Sequence, residues 1–240
     1  MILEDENAAE ILSTARAFHY SLNGVDQVMR IVFGDMISFG RSSDQDVCLR
    51  VEPTSDKENA RQTGRISREH FRLRLDRNAV TIEDLNSQGT QVDGKRLQPG
   101  KPEKIADHSR IDVADVLQLT IDPFASVENS SQIGCCLISR LNNLSAERYL
   151  WLIDHAKLGS REDSVVQIPA KGNTFHLGLD FGDQSDLPCE AVLSVQGKEL
   201  FVESRGEDVL HNDSVLAVGE SKSVKPGHVL KLSDNTFAFD

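Results

Sequence analysis

Apolar and polar residues alternate with a period of two through much of this 240-residue chain. Phe71, Leu73 and Leu75 are interleaved with Arg72 and Arg74, which predicts a half-buried strand whose basic side chains face water. Val80 and Ile82 repeat the period beyond a turn at Asp76-Arg77-Asn78, and Val116 to Ile121 closes the set. Upstream, Ala15 to Leu22 and Gln27 to Phe33 flank Asn23-Gly24, a good hairpin signal. Met36 to Phe39 and Val47 to Val51 follow. Outside the first dozen residues, no window carries a helical period. Many short strands joined by Gly, Asn and Asp turns predict an all-β chain of the sandwich type, as one large sandwich or two smaller ones.

Two stretches interrupt the pattern. Residues 52–64 offer almost nothing that could be buried and read as a long mobile loop. Residues 123–132, Pro-Phe-Ala-Ser-Val-Glu-Asn-Ser-Ser-Gln, read as a polar linker. The expected organisation is an acidic tail (1–11), a first domain (12–123), a linker (124–133) and a second domain (134–240). The second half echoes the first. Shifted by 120 residues, Phe71, Leu73, Leu75, Val80 and Ile82 fall on Ala191, Leu193, Val195, Leu200 and Val202. Shifted by 119, Gly40, Val47 and Leu49 fall on Gly159, Val166 and Ile168. Two tandem β-sandwiches are therefore expected.

Charge narrows the partners. The formal net charge is −12, yet residues 12–125 hold sixteen Lys/Arg against seventeen Asp/Glu, with twelve of the chain's sixteen arginines. An acidic chain without a basic tract is a poor candidate for nucleic acid, whereas arginines gathered in a neutral domain suit a single phosphate. The four cysteines (Cys48, Cys135, Cys136, Cys189) have no metal-like or redox spacing, so no metal or cofactor is expected. They read as reduced residues of a cytoplasmic protein. The N-terminal residues lack a signal-peptide pattern, and no segment is apolar enough for a membrane helix.

Three motifs carry chemistry, in this order: Phe39-Gly40-Arg41, then Ser67-Arg68-Glu69-His70, then Asn86-Ser87-Gln88-Gly89-Thr90. With strands between them they resemble the forkhead-associated (FHA) family over roughly residues 12–123, a β-sandwich that reads phosphothreonine. Phosphothreonine brings about −1.5 to −2 charges and three acceptor oxygens, so its site needs a held cation and short hydroxyl or backbone donors. The resemblance makes Arg41 the phosphate clamp. It makes Ser67 a second ligand through its hydroxyl and N–H, and places Arg68 close enough for another cationic contact. Ser87 and Gln88 are expected to reach the phosphothreonine region and the peptide backbone. Gln88 stands where the family usually has Asn and adds a methylene. Gly40, His70, Asn86, Gly89 and Thr90 are expected to support the site, with His70 bracing the loops. Ser67, His70 and Asp84 are the ingredients of a catalytic triad, but nothing in the motif aims the imidazole at the hydroxyl, so no catalytic residue is expected.

The closing stretch, Lys225 to Phe239, resembles the family's last strands, which makes the second half a degenerate FHA-like sandwich. Ser160 stands opposite Arg41, while Leu187 and Glu190 stand opposite Ser67 and His70. The resemblance implies a non-enzymatic phosphothreonine-dependent adaptor downstream of a Ser/Thr kinase, its partner being a phosphothreonine-containing protein such as the kinase or its substrate. The alternative is a phosphorylation-independent scaffold.

Overall fold

The computed structural model describes residues 16–22, 25–76, 79–85, 89–126, 131–141, 147–159, 164–167, 189–197, 199–207 and 209–240. They are almost wholly β, in two compact units, one of residues 1–31 with 154–240 and one of residues 32–153.

The expected hairpin forms. Strands β1 (Ala17–Leu22) and β2 (Val25–Phe33) pair in register from Ala17–Arg30 to Leu22–Val25, which leaves two residues between them. It belongs to the unit that also contains residues 154–240, apart from the last two residues of β2.

The unit of residues 32–153 continues with β3 (Met36–Gly40), β4 (Val47–Cys48), helix α1 (Lys57–Thr63), β5 (Phe71–Asp76), β6 (Ala79–Asp84), β7 (Thr90–Val92) and β8 (Lys95–Arg96). It ends with β9 (Glu103–Lys104), β10 (Ser109–Val113), β11 (Leu117–Ala125), β12 (Ile133–Leu141) and β13 (Glu147–Leu152). One sheet runs β4-β3-β5-β6-β9 and the other β13-β12-β11-β10-β7-β8. The alternation of Phe71 and Leu73 with Arg72 and Arg74 does what the pattern requires: the first two are fully buried, Arg74 is exposed, and Arg72 pairs with Glu83 across the strands at 2.7 Å. Phe39 and Phe71 stack with ring centroids 4.4 Å apart, joining β3 to β5 inside the core. Trp151 is fully buried, and its Nε1 donates to the Gly34 carbonyl at 2.7 Å, so its polar edge is satisfied.

Residues 52–64 depart from the expected loop. Their second half forms α1, whose N-cap Asp56 accepts from the Glu58 and Asn59 N–H groups at 2.8 and 3.1 Å. No α1 residue is buried, so apolar periodicity had nothing to register; the side-chain cap and a Glu58–Arg61 pair at 2.7 Å mark it instead.

The expected linker falls elsewhere too. β11 runs through Pro123 and Phe124 to Ala125, β12 begins at Ile133, and they pair from Gln118–Leu141 to Ala125–Ile133 within one unit. Polar composition at 126–132 marks a connection between paired strands, whereas the compact units divide at 31/32 and 153/154.

The other unit adds β14 (His155–Gly159), β15 (Val166–Gln167), β16 (Cys189–Gln196), β17 (Glu199–Ser204), β18 (Val209–His211) and β19 (Ser214–Val215). It closes with β20 (Ser221–Val224), β21 (Val229–Leu232) and β22 (Asn235–Phe239). Its sheets run β15-β14-β16-β17-β20 and β2-β1-β22-β21-β18-β19, the same layout as the first pair. Cross-strand pairs recur in register: Leu73–Ile82 and Leu75–Val80 in one unit, Leu193–Val202 and Val195–Leu200 in the other. Turn chemistry recurs as well. The Asp93 N–H donates to the Arg110 carbonyl at 2.9 Å, while the Asp93 carboxylate accepts from the Arg110 N–H at 2.8 Å. Asn212 makes the same pair of bonds with Val229, both at 2.8 Å. Phe18, Tyr20, Phe237 and Phe239 form the aromatic part of this core.

Candidate functional site

Backbone hydrogen bonds join the first two motifs, and the His70 ring joins them to the third. At the end of β3 the chain passes so close to residues 68–69 that a Cβ built on Gly40 would lie 2.0 Å from the Arg68 carbonyl oxygen. Only glycine permits that approach. It lets the Arg41 N–H donate to the Ser67 carbonyl at 3.0 Å and the Ser42 N–H to the Arg68 carbonyl at 3.2 Å. The far side of the Arg41 loop is tied back by the Leu49 N–H to the Gly40 carbonyl, 2.7 Å, and by the Cys48 thiol, whose Sγ lies 3.6 Å from the Arg41 carbonyl.

His70 is fully buried and joins two loops. Its Nδ1 accepts from the Ser67 N–H at 3.1 Å, which places the ring proton on Nε2, 3.4 Å from the Gly89 carbonyl it donates to. Burial holds its pKa below the ordinary value of 6.5, against the opposing pull of the Gly89 carbonyl and Asp84, so the ring is neutral at pH 7. Both ring nitrogens are thereby committed, and neither is left to activate the Ser67 hydroxyl. The residues of a Ser-His-Asp triad are neighbours here without its connectivity. The Ser67 N–H is spent on His70, so the hydroxyl is the group that Ser67 has left for a ligand.

Above this brace lies a cleft of about 630 Å³ lined by Arg41, Arg65, Ile66, Ser67, Arg68 and Glu69, together with Gly64 and Leu85. Three guanidiniums and one hydroxyl face one carboxylate. Among the described residues, the Arg41 and Arg68 guanidiniums and the Ser67 hydroxyl meet no hydrogen-bond or ion-pair partner, and Arg41 Nε is buried without one. A buried N–H without an acceptor costs about 1–3 kcal/mol, so the cleft favours an arriving acceptor.

Of the residues expected from sequence, Gly40, Arg41, Ser67, Arg68, His70 and Gly89 come together here. Thr90 is fully buried at the start of β7, where its carbonyl accepts from the Leu97 N–H at 2.9 Å. Gly89 takes φ +138°, a conformation that L side chains rarely adopt. Asn86, Ser87 and Gln88 lie outside the described residues, as do Ser160, Arg161 and Leu187. Arg65 was not expected. It pairs with the exposed Asp115 carboxylate at 3.8 Å, a weak surface pair. No motif marked it: Arg65 lies in the turn that follows α1, where its N–H donates to the Gln62 carbonyl at 2.9 Å and strand alternation does not apply. Among the described residues no group of three or more His, Cys, Asp or Glu could hold a metal ion.

Comparison with known proteins finds a family model and several solved structures that resemble part of this chain. The family model described as the FHA domain matches residues 37–114. Among solved structures, the yeast Dun1 FHA domain in complex with a doubly phosphorylated peptide is 21% identical, with 49% of this chain and 79% of that one covered and a TM-score of 0.31. The N-terminal FHA domain of Rad53p from S. cerevisiae, in complex with a phosphothreonine peptide, is 15% identical over 43% of this chain and 89% of that one, with a TM-score of 0.30. EmbR from Mycobacterium tuberculosis, in complex with a low-affinity phosphopeptide, is 19% identical over 45% of this chain, with a TM-score of 0.29. The chain spans about a quarter (24%) of the EmbR chain. No curated protein matches. Residues 37–114, which contain every site residue brought together above, are thus the part of the chain that matches the FHA domain family.

Proposed function

We propose that this protein is a non-enzymatic adaptor whose Arg41 cleft binds a phosphothreonine-containing peptide, in signalling downstream of a Ser/Thr kinase. The observation that carries this reading is the unpartnered Arg41 guanidinium, its Nε buried, beside the Ser67 hydroxyl and the Arg68 guanidinium on a scaffold braced by His70. Such a set can form charge-assisted bonds to a dianion at little ordering cost, because its backbone is already fixed. The match to the FHA family and the phosphothreonine peptide bound by Rad53p support the same ligand class. Ser87 and Gln88 complete the peptide contacts in this reading. The second half is a degenerate repeat without phosphopeptide affinity, since Leu187 and Glu190 replace Ser67 and His70 in the alignment. Among the described residues no helix is long and apolar enough to cross a membrane.

Calorimetry with a phosphothreonine peptide library and its unphosphorylated copy tests the reading. Selective binding of phosphorylated members is expected. Equal affinity for both copies would replace it with a phosphorylation-independent scaffold.

A further inference from the structure

We propose that the two sandwiches are assembled by exchange of their opening hairpins within one chain, so that the Arg41 cleft stands on a scaffold completed by the second repeat. The inference rests on the repeat reading given above and assigns the second half a role that needs no ligand site of its own.

In chain order the repeats are β1–β11 and β12–β22, each opening with a hairpin. The pairs that follow the hairpins recur at offsets of 118 to 120: Leu73–Ile82 against Leu193–Val202, and Arg110–Thr120 against Val229–Ala238. A contiguous first sandwich would set β1 beside β11. Instead β11 pairs with β12, through Thr120–Ser139 and Ile121–Ile138. In the other unit β22 pairs with β1, through Ala238–His19 and Phe239–Phe18. The two junctions match in register and burial: Ile121, Ile138, Phe18 and Phe239 all point inward, while the other pairs face out. Each repeat has thus given its first two strands to the other.

The donated hairpin is part of the core under the site. Cys136, Ile138, Tyr149 and Trp151 of β12–β13 share one buried cluster with Ile66 and Phe71, which flank Ser67 and His70, and with Phe39 beside Gly40. Burial pushes the Cys136 thiol up to about 12, so it serves there as an apolar group. The binding sandwich is residues 32–153, and the second repeat supplies β12–β13.

Disulfide trapping in the full-length chain tests this without any ligand, so its outcome is separate from whether a phosphopeptide binds. Directly opposed cross-strand residues lie within about 5.5 Å and can be bridged after small shifts. Double variants H19C/A238C and T120C/S139C are expected to form links within monomers, identified by mass spectrometry of the digested protein. The crosswise variants H19C/T120C and S139C/A238C are expected to remain unlinked. Linkage of the crosswise pairs, or linkage of the first two only between chains, overturns the proposal. Hydrogen exchange gives a second readout. Ile138→Ala should lower protection of β5 and β6, and Phe18→Ala that of β21 and β22. The reverse assignment would mean that the hairpins are not exchanged.

Discussion

Replacing Arg41 by alanine removes the guanidinium from the cleft while leaving the Gly40–Arg68 backbone contacts in place. Losing one partner of a buried charged pair costs about 2–5 kcal/mol, so phosphopeptide affinity should fall by at least about 30-fold, while the melting temperature should not fall because the buried Nε has no partner to lose. Calorimetry and a thermal melt of Arg41→Ala check both halves of that statement. Gly40→Ala should instead harm stability as well as binding. The new methyl would sit 2.0 Å from the Arg68 carbonyl, so strand and loop must separate, at the roughly 1–3 kcal/mol typical of overpacking. A lowered melting temperature together with weakened binding is expected, and a variant that melts like wild type would show that the approach relaxes without strain. His70 adds a pH dependence. Its pKa is lowered on folding, so the unfolded chain binds the extra proton. The stability it contributes is complete above about pH 6.5 and is lost as pH falls below that value. A proton on Nδ1 would also displace the Ser67 N–H. Melting temperatures between pH 7.5 and 5 should decline more steeply for wild type than for His70→Ala.

At the scale of elements, most of the strands could be read from alternation, because a strand with one buried face leaves its period in the sequence. The β1–β2 hairpin was equally plain, since Asn23-Gly24 specifies a two-residue turn. Helix α1 was not legible, because a helix with no buried residue has no apolar stripe and declares itself only through its cap. Asp56→Ala should therefore unwind α1 at a cost of about 0.5–2 kcal/mol, leaving the strands intact and dimming the helical signal of residues 57–63 in nuclear magnetic resonance spectra. The site was legible where the motifs are local: the resemblance placed Gly40-Arg41 and Ser67-x-x-His70 together, and the backbone bonds of Arg41 and Ser42 to residues 67–68 do bring them together. Arg65 was hidden by its position outside those motifs, in the turn that follows α1.

For the whole molecule, the sequence told of two sandwiches' worth of strands and even of their offsets, but not of which hairpin joins which sandwich. Alternation and turn residues are local, whereas the partner of an outer strand is chosen among distant, chemically similar edges. Phe18 would bury as well beside Ile121 as beside Phe239, and nothing in its own neighbourhood decides between them. A fragment of residues 32–153 should accordingly fold and carry any phosphopeptide affinity, while residues 12–123 alone should expose the inner edge of β11 and precipitate or melt early. Circular dichroism melts of the two fragments decide the matter, and a stable, binding 12–123 fragment would contradict the arrangement found here.

The pairing of β1 with β22 also sets a timetable for synthesis. Leu22 is made more than two hundred residues before Asn235, so the β1–β2 hairpin waits for its neighbour for roughly 10–40 s at about 5–20 residues per second. The contiguous unit of residues 32–153 can close during that interval, whereas the other unit depends on a contact of very long range, the kind that forms slowly. Throughout the wait, Phe18 and Tyr20 have no aromatic cluster to enter. The nascent chain therefore carries an uncovered apolar hairpin at the very stage when the Arg41 cleft is already enclosed by its own unit, and it is there that a chaperone would find it.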